Sequence, residues 1–309
     1  MLGLGPLARA AVLLVISAVV VAGCGGADNG DDGKQRVVAT TTQVADLVRN
    51  VGADRVEVDR ILRPNADPHD YEPRPSDARA VAKSDLVVRS GGDLDDWLDG
   101  VIDNAGGERP TLTLMEAMGS RAREDDPHWW QDPRNAEAAA AAIRDRLIET
   151  DPGGREIYER NVAEYLRKLE RLDAEVARCI AELEPGERKL VTSHDALGHY
   201  ADRYGIEVVG ALIPSRSSQA QPSAGDTADL VDQIKAERVK AIFPESSLDP
   251  KLERSVARET GAEVGGELYA DSLGPAGTAG ETYLGSIAAN TATIVEGLSG
   301  GRVRCRPRS

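Results

Sequence analysis

Aromatic residues are scarce in this chain of 309 residues, at 4% of the sequence with a single phenylalanine. Hydrophobic residues nevertheless make up 41% of it, which allows a substantial core. Such a core must consist mostly of Val, Leu, Ile and Ala, the aliphatic side chains that pack between helices and sheets. The composition therefore favours an α/β fold, and the length favours two domains or one large sheet.

The chain also lacks the excess of cations that binding to nucleic acid or an anionic membrane surface requires. Its formal net charge is -15 at pH 7 and its pI is near 4.8. An acidic surface repels phosphate groups but tolerates cations, and it also favours solubility. The composition therefore argues against nucleic acid as a partner.

The N-terminus has the pattern of an export signal. Met1 to Gly23 contains one cation, Arg9, followed by an uncharged apolar run from Ala10 to Val21 that is short for a membrane span. Small residues stand directly before Cys24, as in the lipobox of bacterial lipoproteins. We therefore predict a signal peptide over 1–23, acylation of Cys24 and a flexible tether over 24–35; an ordinary secretory signal or a buried helix is the alternative.

Cysteine is otherwise almost absent, since only Cys179 and Cys305 remain after Cys24. Disulfides persist outside the cytoplasmic membrane, so these two residues can pair. Two unconnected thiols are an equally good interpretation, because the distance between the residues cannot be read from the sequence.

Short β-branched runs alternate with helical stretches, which is typical of parallel sheets. The predicted strands are Val37–Thr40, Val56–Leu62, Leu86–Val88, Thr111–Leu114, Lys189–Thr192, Val208–Ile213, Ala241–Phe243 and Glu263–Leu268. Helices are predicted over Thr42–Val51, Ser76–Lys83 (capped by Ser76 or Asp77) and Asp93–Asn104. The strands form two sets, which predicts an N-terminal α/β lobe over 36–152 and a C-terminal α/β lobe over 185–309.

One long helix is predicted between the two lobes, within a linker over 153–184. The 29 residues from Arg155 to Leu183 contain neither glycine nor proline, and as a helix they would run about 44 Å. Apolar residues recur along it at Tyr158, Val162, Tyr165, Leu169, Leu172, Val176, Cys179 and Leu183. This seam favours packing along a globular body, and a dimeric coiled coil is the rival interpretation.

Histidine is rare, with four residues in the chain, and two of them follow Asp-Pro dipeptides as Asp67-Pro68-His69 and Asp126-Pro127-His128. Proline fixes its own φ and extends the preceding residue, so each histidine lies in a stiff loop. His194 likewise follows a predicted strand, and parallel sheets bind ligands at the carboxyl ends of their strands. Because imidazole is the commonest transition-metal ligand, the three histidines predict a metal site.

His199 and Asp271 are two further candidates for the metal site. His199 lies five residues after His194, a helical rotation of about 500°, so we predict that it does not share the metal. Asp271 follows the last predicted strand and would add a carboxylate to the site, although an aspartate before serine is also typical of a helix cap or turn.

Several motifs carry a resemblance to a known family. They are Asp67–Pro73, Asp126–Trp130, Thr192–Gly198, Phe243–Ser247 and Tyr269–Leu273, within a match from about Arg36 to Gly300. The chain resembles the metal-binding lipoprotein component of bacterial ABC importers for zinc and manganese, often called cluster 9 or cluster A-I. The resemblance implies two α/β lobes joined by one rigid helix, with the metal in the cleft between them.

The same resemblance implies a ligand set of His69 and His128 from the N-terminal lobe and His194 and Asp271 from the C-terminal lobe. Glu245 is expected to stand behind these ligands. Manganese-handling members tend to carry glutamate at the third ligand position, where His194 stands, and three nitrogens with one oxygen suit tetrahedral Zn²⁺. We therefore expect Zn²⁺ in preference to Mn²⁺. The histidine-rich loop that many zinc members insert before the second ligand is missing here.

The predicted function is capture of Zn²⁺ outside the cell and its delivery to an ABC permease and its ATPase subunit. The protein would be a monomer, anchored by the lipid on Cys24 at the outer face of the cytoplasmic membrane. A manganese-binding homologue and a surface adhesin lipoprotein are alternatives. A zinc hydrolase with Glu245 or Asp195 as general base is the rival from another class, but the chain lacks a HExxH motif and we do not expect an enzyme.

Overall fold

The computed structural model describes residues 33–121, 123 and 125–308. The predicted signal peptide, Cys24 and most of the predicted tether lie outside these residues. The predicted α/β class with parallel sheets is confirmed. Within the described part of the chain, no helix has the length and apolar character needed to cross a membrane.

The N-terminal lobe is built on a parallel four-stranded sheet with the order β2-β1-β3-β4. Its strands are β1 (Gln35–Ala39), β2 (Val56–Arg60), β3 (Leu86–Arg89) and β4 (Thr111–Thr113). The helices are α1 (Thr42–Gly52), α2 (Pro75–Lys83), α3 (Trp97–Asn104), α4 (Leu114–Met118) and α5 (Pro133–Thr150). Strand β1 forms pairs on both sides, and its Val37 and Val38 are both buried although they point to opposite faces.

The C-terminal lobe repeats this arrangement of strands. Strand β5 (Lys189–His194) pairs with β6 (Glu207–Ile213), and β7 (Ala241–Ile242) pairs with β8 (Glu263–Val264), all in parallel. A bridge between Thr192 and Phe243 places β7 beside β5, which gives the order β6-β5-β7-β8. The helices of this lobe are α7 (Gly198–Tyr204), α8 (Ala224–Glu237), α9 (Lys251–Thr260) and α10 (Tyr283–Leu298).

The long helix predicted between the lobes is α6 (Arg155–Ala181). All eight residues of its predicted seam are buried, and the helix packs against α1, α5 and α10 of the same chain. The seam therefore contributes to the chain's own core, so it is not exposed for a coiled coil with a second chain.

Three local predictions are wrong, each because of a backbone constraint. Helix α2 is not capped by Ser76 or Asp77; it begins at Pro75, and Asp77 accepts a hydrogen bond of 2.7 Å from the amide of Arg74. Helix α3 begins at Trp97 and not at Asp93, whose φ of 63° lies outside the right-handed helical region. Strand β8 ends before Gly265, which packs so closely on Phe243 that a Cβ would lie 2.6 Å from its ring.

Cys179 and Cys305, whose pairing the sequence left open, form a disulfide with their Cα atoms 5.4 Å apart. Both residues are buried, Cys179 on α6 and Cys305 in the C-terminal tail. The bond therefore fixes the tail to the helix between the lobes.

Asp46 on α1 links the N-terminal lobe to α10, since its Oδ2 accepts hydrogen bonds from the amide of Tyr283 at 3.1 Å and from Asn50 at 3.2 Å. Burial raises the pKa of Asp46 to about 6 from its ordinary value of 3.8, although the amide of Tyr283 and the charge of Arg49 oppose this. The fold thus binds this proton more tightly than the unfolded chain does, and stability falls as the pH rises from about 4 to about 6.

We expect Asp46→Asn to be more stable than the wild type at pH 8 by about 1–3 kcal/mol, because the amide keeps an acceptor for Tyr283 and carries no charge to bury. At pH 4 the two proteins should be equally stable. Denaturant unfolding at a series of pH values measures the difference, and a difference that does not change between pH 4 and pH 8 would contradict the assignment.

Candidate metal centre

Four side chains from both lobes meet at one point of the cleft: His69, His128, His194 and Asp271. Each offers one potential ligand atom, and these atoms all lie within 4.8 Å of one another. Three of the four residues are buried, and the side chain of His69 is 8% exposed. The structure thus brings together all four residues that the sequence predicted as ligands.

The two N-terminal histidines are held by the aspartates of their own Asp-Pro-His motifs. His69 lies in a single 3₁₀ turn after β2, and its amide donates to Asp67 Oδ1 at 2.9 Å. The amide of His128 donates to Asp126 Oδ1 at 3.1 Å, and the same oxygen lies 2.9 Å from His128 Nδ1. In both motifs the aspartate therefore holds the backbone of the histidine, and Asp126 also orients the imidazole of His128.

His194 is the last residue of β5 and is oriented by Glu245, which follows β7. Glu245 Oε1 accepts from the His194 amide at 2.9 Å and lies 2.8 Å from His194 Nδ1. A carboxylate on Nδ1 turns Nε2 towards the other ligand atoms and raises the basicity of the ring. Glu245 therefore lies behind His194, on the side of the ring that faces away from the cluster.

Asp271 lies in the loop after β8, and the N-terminal lobe holds the residue before it. The carbonyl oxygen of Ala270 accepts hydrogen bonds from Trp130 Nε1 and Gln131 Nε2, both at 2.8 Å. Both donors follow His128 closely in the sequence. The loops that carry His128 and Asp271 are therefore bonded to each other across the cleft.

The nitrogen and oxygen atoms of the cluster lie close enough together to share one ion. Asp271 Oδ2 lies 3.4 Å from His69 Nε2 and 3.2 Å from His194 Nε2, and Asp271 Oδ1 lies 3.4 Å from His128 Nε2. The Nε2 atoms of His128 and His194 are 3.3 Å apart. Ligands of one metal ion at bond lengths of about 2.0–2.1 Å are separated by about 3.3–3.4 Å in a tetrahedral site, which is close to these four distances. The cluster can therefore hold a metal ion.

Two buried atoms of the cluster also require a partner. His69 Nε2 and Asp271 Oδ1 form no hydrogen bond in the described part of the chain. Burial of unpaired polar atoms is costly, and a cation between the four side chains would satisfy both.

The charges of the cluster favour a cation. Burial alone would lower the pKa of His194, but Asp271 and Glu245 raise that pKa well above its usual value. Burial alone would raise the pKa of Asp271, but His194 and His128 outweigh it and keep that pKa well below its usual value. The imidazoles therefore lie beside carboxylates, and an imidazole nitrogen in this position can bind a metal ion or a proton.

The other candidates from the sequence are not part of this group. His199 is buried with its Nε2 3.3 Å from the carbonyl oxygen of Asp126, so it contacts the backbone of a ligand loop. Asp195 points to Arg216, whose Nε lies 3.6 Å away. Glu245 faces His194 Nδ1, on the opposite side of the ring from the cluster, and is not placed to activate a metal-bound water.

Comparisons with known proteins agree with this geometry. A family model described as the periplasmic component A of the zinc-uptake complex, ZnuA, matches residues 37–297. The chain belongs to this family. It is 30% identical to the manganese-binding lipoprotein MntA of Halalkalibacterium halodurans, over 93% of this chain and 97% of that protein. It is 32% identical to the zinc-binding protein TroA of Treponema pallidum, over 89% and 92% of the two chains.

The solved structure of the periplasmic zinc-binding protein TroA superposes with a TM-score of 0.80 at 30% identity, over 86% of this chain and 99% of that chain. Together with the family match, this likeness confirms a two-lobe solute-binding fold. The protein is a metal-binding substrate-binding component of an ABC transporter and not an enzyme. The hydrolase alternative is therefore set aside.

We expect Glu245→Ala to weaken zinc binding by about 10- to 100-fold, because His194 then loses the carboxylate that orients it and raises its basicity. Competition titration against a chromophoric chelator measures the affinity. Glu187→Ala is the matched control, since Glu187 is a glutamate of the same lobe whose carboxylate pairs with Lys240 and Arg302. Equal affinity in Glu245→Ala and Glu187→Ala would contradict the role given to Glu245.

Proposed function

We propose that this protein captures Zn²⁺ outside the cytoplasmic membrane and delivers it to an ABC permease that an ATPase subunit drives. The observation that carries the proposal is the convergence of three imidazoles and one carboxylate, whose potential ligand atoms lie within 4.8 Å of one another. Three nitrogens and one oxygen are a donor set that suits tetrahedral Zn²⁺. The ion is the cargo of the protein. Each ligand bond replaces water on Zn²⁺ with a group that the fold holds in place.

The proposed mechanism is closure of the cleft around the ion. His69 and His128 come from the N-terminal lobe and His194 and Asp271 from the C-terminal lobe, so the ligand set is complete only when the lobes are together. The lobes are joined by α6, whose continuous packing against α1, α5 and α10 favours a small closure. The lobe boundaries at 36–152, 153–184 and 185–309 remain predictions.

Zinc is preferred to manganese in this proposal because of the donor atoms. Three nitrogens outnumber the carboxylate, and a harder ion prefers more oxygen ligands. Manganese is the second candidate, because both oxygens of Asp271 face imidazoles and would bind a larger ion in bidentate fashion. The name of the relative MntA supports the same candidate.

We further propose that the mature chain is a monomer that begins at Cys24 and is anchored by lipid at the outer face of the membrane. The small residues before Cys24 support this anchor, and so does the description of MntA as a lipoprotein. The burial of the α6 seam within one chain supports the monomer.

We expect the soluble chain beginning after Cys24 to bind one Zn²⁺ and to prefer it to Mn²⁺. His69→Ala, His194→Ala and Asp271→Ala should each weaken zinc binding by about 100-fold or more, because each removes one of four ligands. His199→Gln is the control and should keep full binding. Metal stoichiometry and competition titration measure these effects, and unchanged binding in all three alanine variants would refute the ligand set.

Zinc affinity should fall as the pH is lowered, because a metal-bound imidazole must be neutral. Because Asp271 and Glu245 raise the pKa of His194 in spite of its burial, protons compete at that residue already above the usual 6.5 of histidine. The loss of affinity should therefore begin above pH 6.5 and continue below it. Competition titrations from pH 5 to pH 9 test this, and equal affinities at pH 5 and pH 8 would contradict it.

A further inference from the structure

One loop of the C-terminal lobe contacts both Asp-Pro-His motifs of the N-terminal lobe. This loop, residues 214–219, follows β6, and we refer to it as the β6 loop. Its Ser218 Oγ donates to Asp67 Oδ2 at 2.6 Å. Arg216 Nη1 lies 3.2 Å from Asp126 Oδ2 and donates to the carbonyl oxygen of Asp125 at 2.6 Å. The same loop therefore reaches the two segments that carry His69 and His128.

Each motif aspartate uses its two oxygens in the same way. Oδ1 of Asp67 and Oδ1 of Asp126 accept from the amides of their own histidines, at 2.9 and 3.1 Å. The Oδ2 atoms face the β6 loop of the other lobe. A contact that holds either carboxylate therefore also holds the histidine behind it.

The β6 loop is in turn fixed beside the C-terminal ligands. The amide of Asp195, which follows His194, donates to the carbonyl oxygen of Ser215 at 3.0 Å. The carboxylate of Asp195 lies 3.6 Å from Arg216 Nε. Arg216 therefore connects the strand that carries His194 to the segment that carries His128.

The contacts to the two motif aspartates are partly shielded from water. Asp126 is fully buried and Ser218 is 8% exposed, while Arg216 is partly buried. Gly198 leaves the space that Asp126 needs, since a Cβ at that position would lie 2.8 Å from Asp126 Oδ2. Ion pairs and hydrogen bonds shielded from water contribute more than those at an exposed surface.

We propose that Arg216 and Ser218 form a latch across the cleft that holds His69 and His128 in place and slows metal release. This inference rests on the proposed capture of Zn²⁺ between the lobes. Both residues are positioning residues, because neither belongs to the ligand group. Their contacts join the lobes and must break before the lobes part, so their loss speeds dissociation more than it changes the choice of metal.

The test is the rate of zinc release from the soluble chain beginning after Cys24, loaded with one Zn²⁺ and mixed rapidly with an excess of a fluorescent chelator. Arg216→Ala and Ser218→Ala should each release zinc about 3- to 10-fold faster than the wild type, and the double variant faster than either. Zinc stoichiometry should stay at one per chain.

Matched controls separate the latch from general effects of mutation. Ser217→Ala changes a neighbouring hydroxyl whose contacts stay within the β6 loop, and Arg155→Ala removes an arginine paired with Glu159 on the surface of α6. Both controls should release zinc at the wild-type rate. Ser218→Thr and Arg216→Lys keep a hydroxyl and a cation, and both should release zinc more slowly than the corresponding alanine variants.

The outcomes distinguish the two proposals. A wild-type chain that binds no zinc would refute the proposed function. If the wild type binds zinc and the alanine variants release it at the rate of the controls, the latch is refuted while the function stands. Alanine and conservative variants that release zinc equally fast would also refute the latch, because a purely structural defect does not depend on the retained hydroxyl or cation.

Discussion

The structure of the metal centre depends on one buried carboxylate that faces three imidazoles. Asp271 lies within 3.2–3.4 Å of the Nε2 atoms of His69, His128 and His194, and it is buried. A buried carboxylate is stable only beside positive charge or hydrogen-bond donors. In the metal-free protein His194 can supply that charge, since Asp271 and Glu245 hold its pKa well above the usual value in spite of its burial. A divalent cation supplies the charge in the proposed loaded state. A metal ion and a proton therefore compete to supply the positive charge beside Asp271.

This requirement explains why the two lobes are bonded so closely around the site. Ala270 accepts from Trp130 and Gln131, and the β6 loop reaches Asp67 and Asp126. These contacts keep the four ligand atoms within bonding distance of one ion although they belong to different sheets. The family match and the likeness to TroA show that such a cleft belongs to metal transport components, and the choice of Zn²⁺ is our proposal.

Much of the fold could be predicted from the sequence, because strand alternation and helix length are local properties. The α6 helix is clear from 29 residues without glycine or proline, and the three ligand histidines from their rarity and their places after strands. The pairing of Cys179 with Cys305 could not be predicted, since it depends on a distance across 126 residues of sequence. The contact of Ser218 with Asp67 could not be predicted from the sequence either, because it depends on how the lobes meet. The contacts of Asp67 and Asp126 with the amides of His69 and His128 are local, and an aspartate two residues before a backbone amide is their sequence signal.

The histidines of the two lobes are restrained by different parts of the structure. His194 is the last residue of β5, which is paired with β6 and bridged towards β7, so the backbone bonds of the sheet restrain it. His69 and His128 lie in loops that side-chain carboxylates restrain. His194 is therefore held by the backbone of a sheet, whereas His69 and His128 are held through side chains. We therefore expect a change in ionic radius to displace the two Asp-Pro-His loops more than it displaces β5.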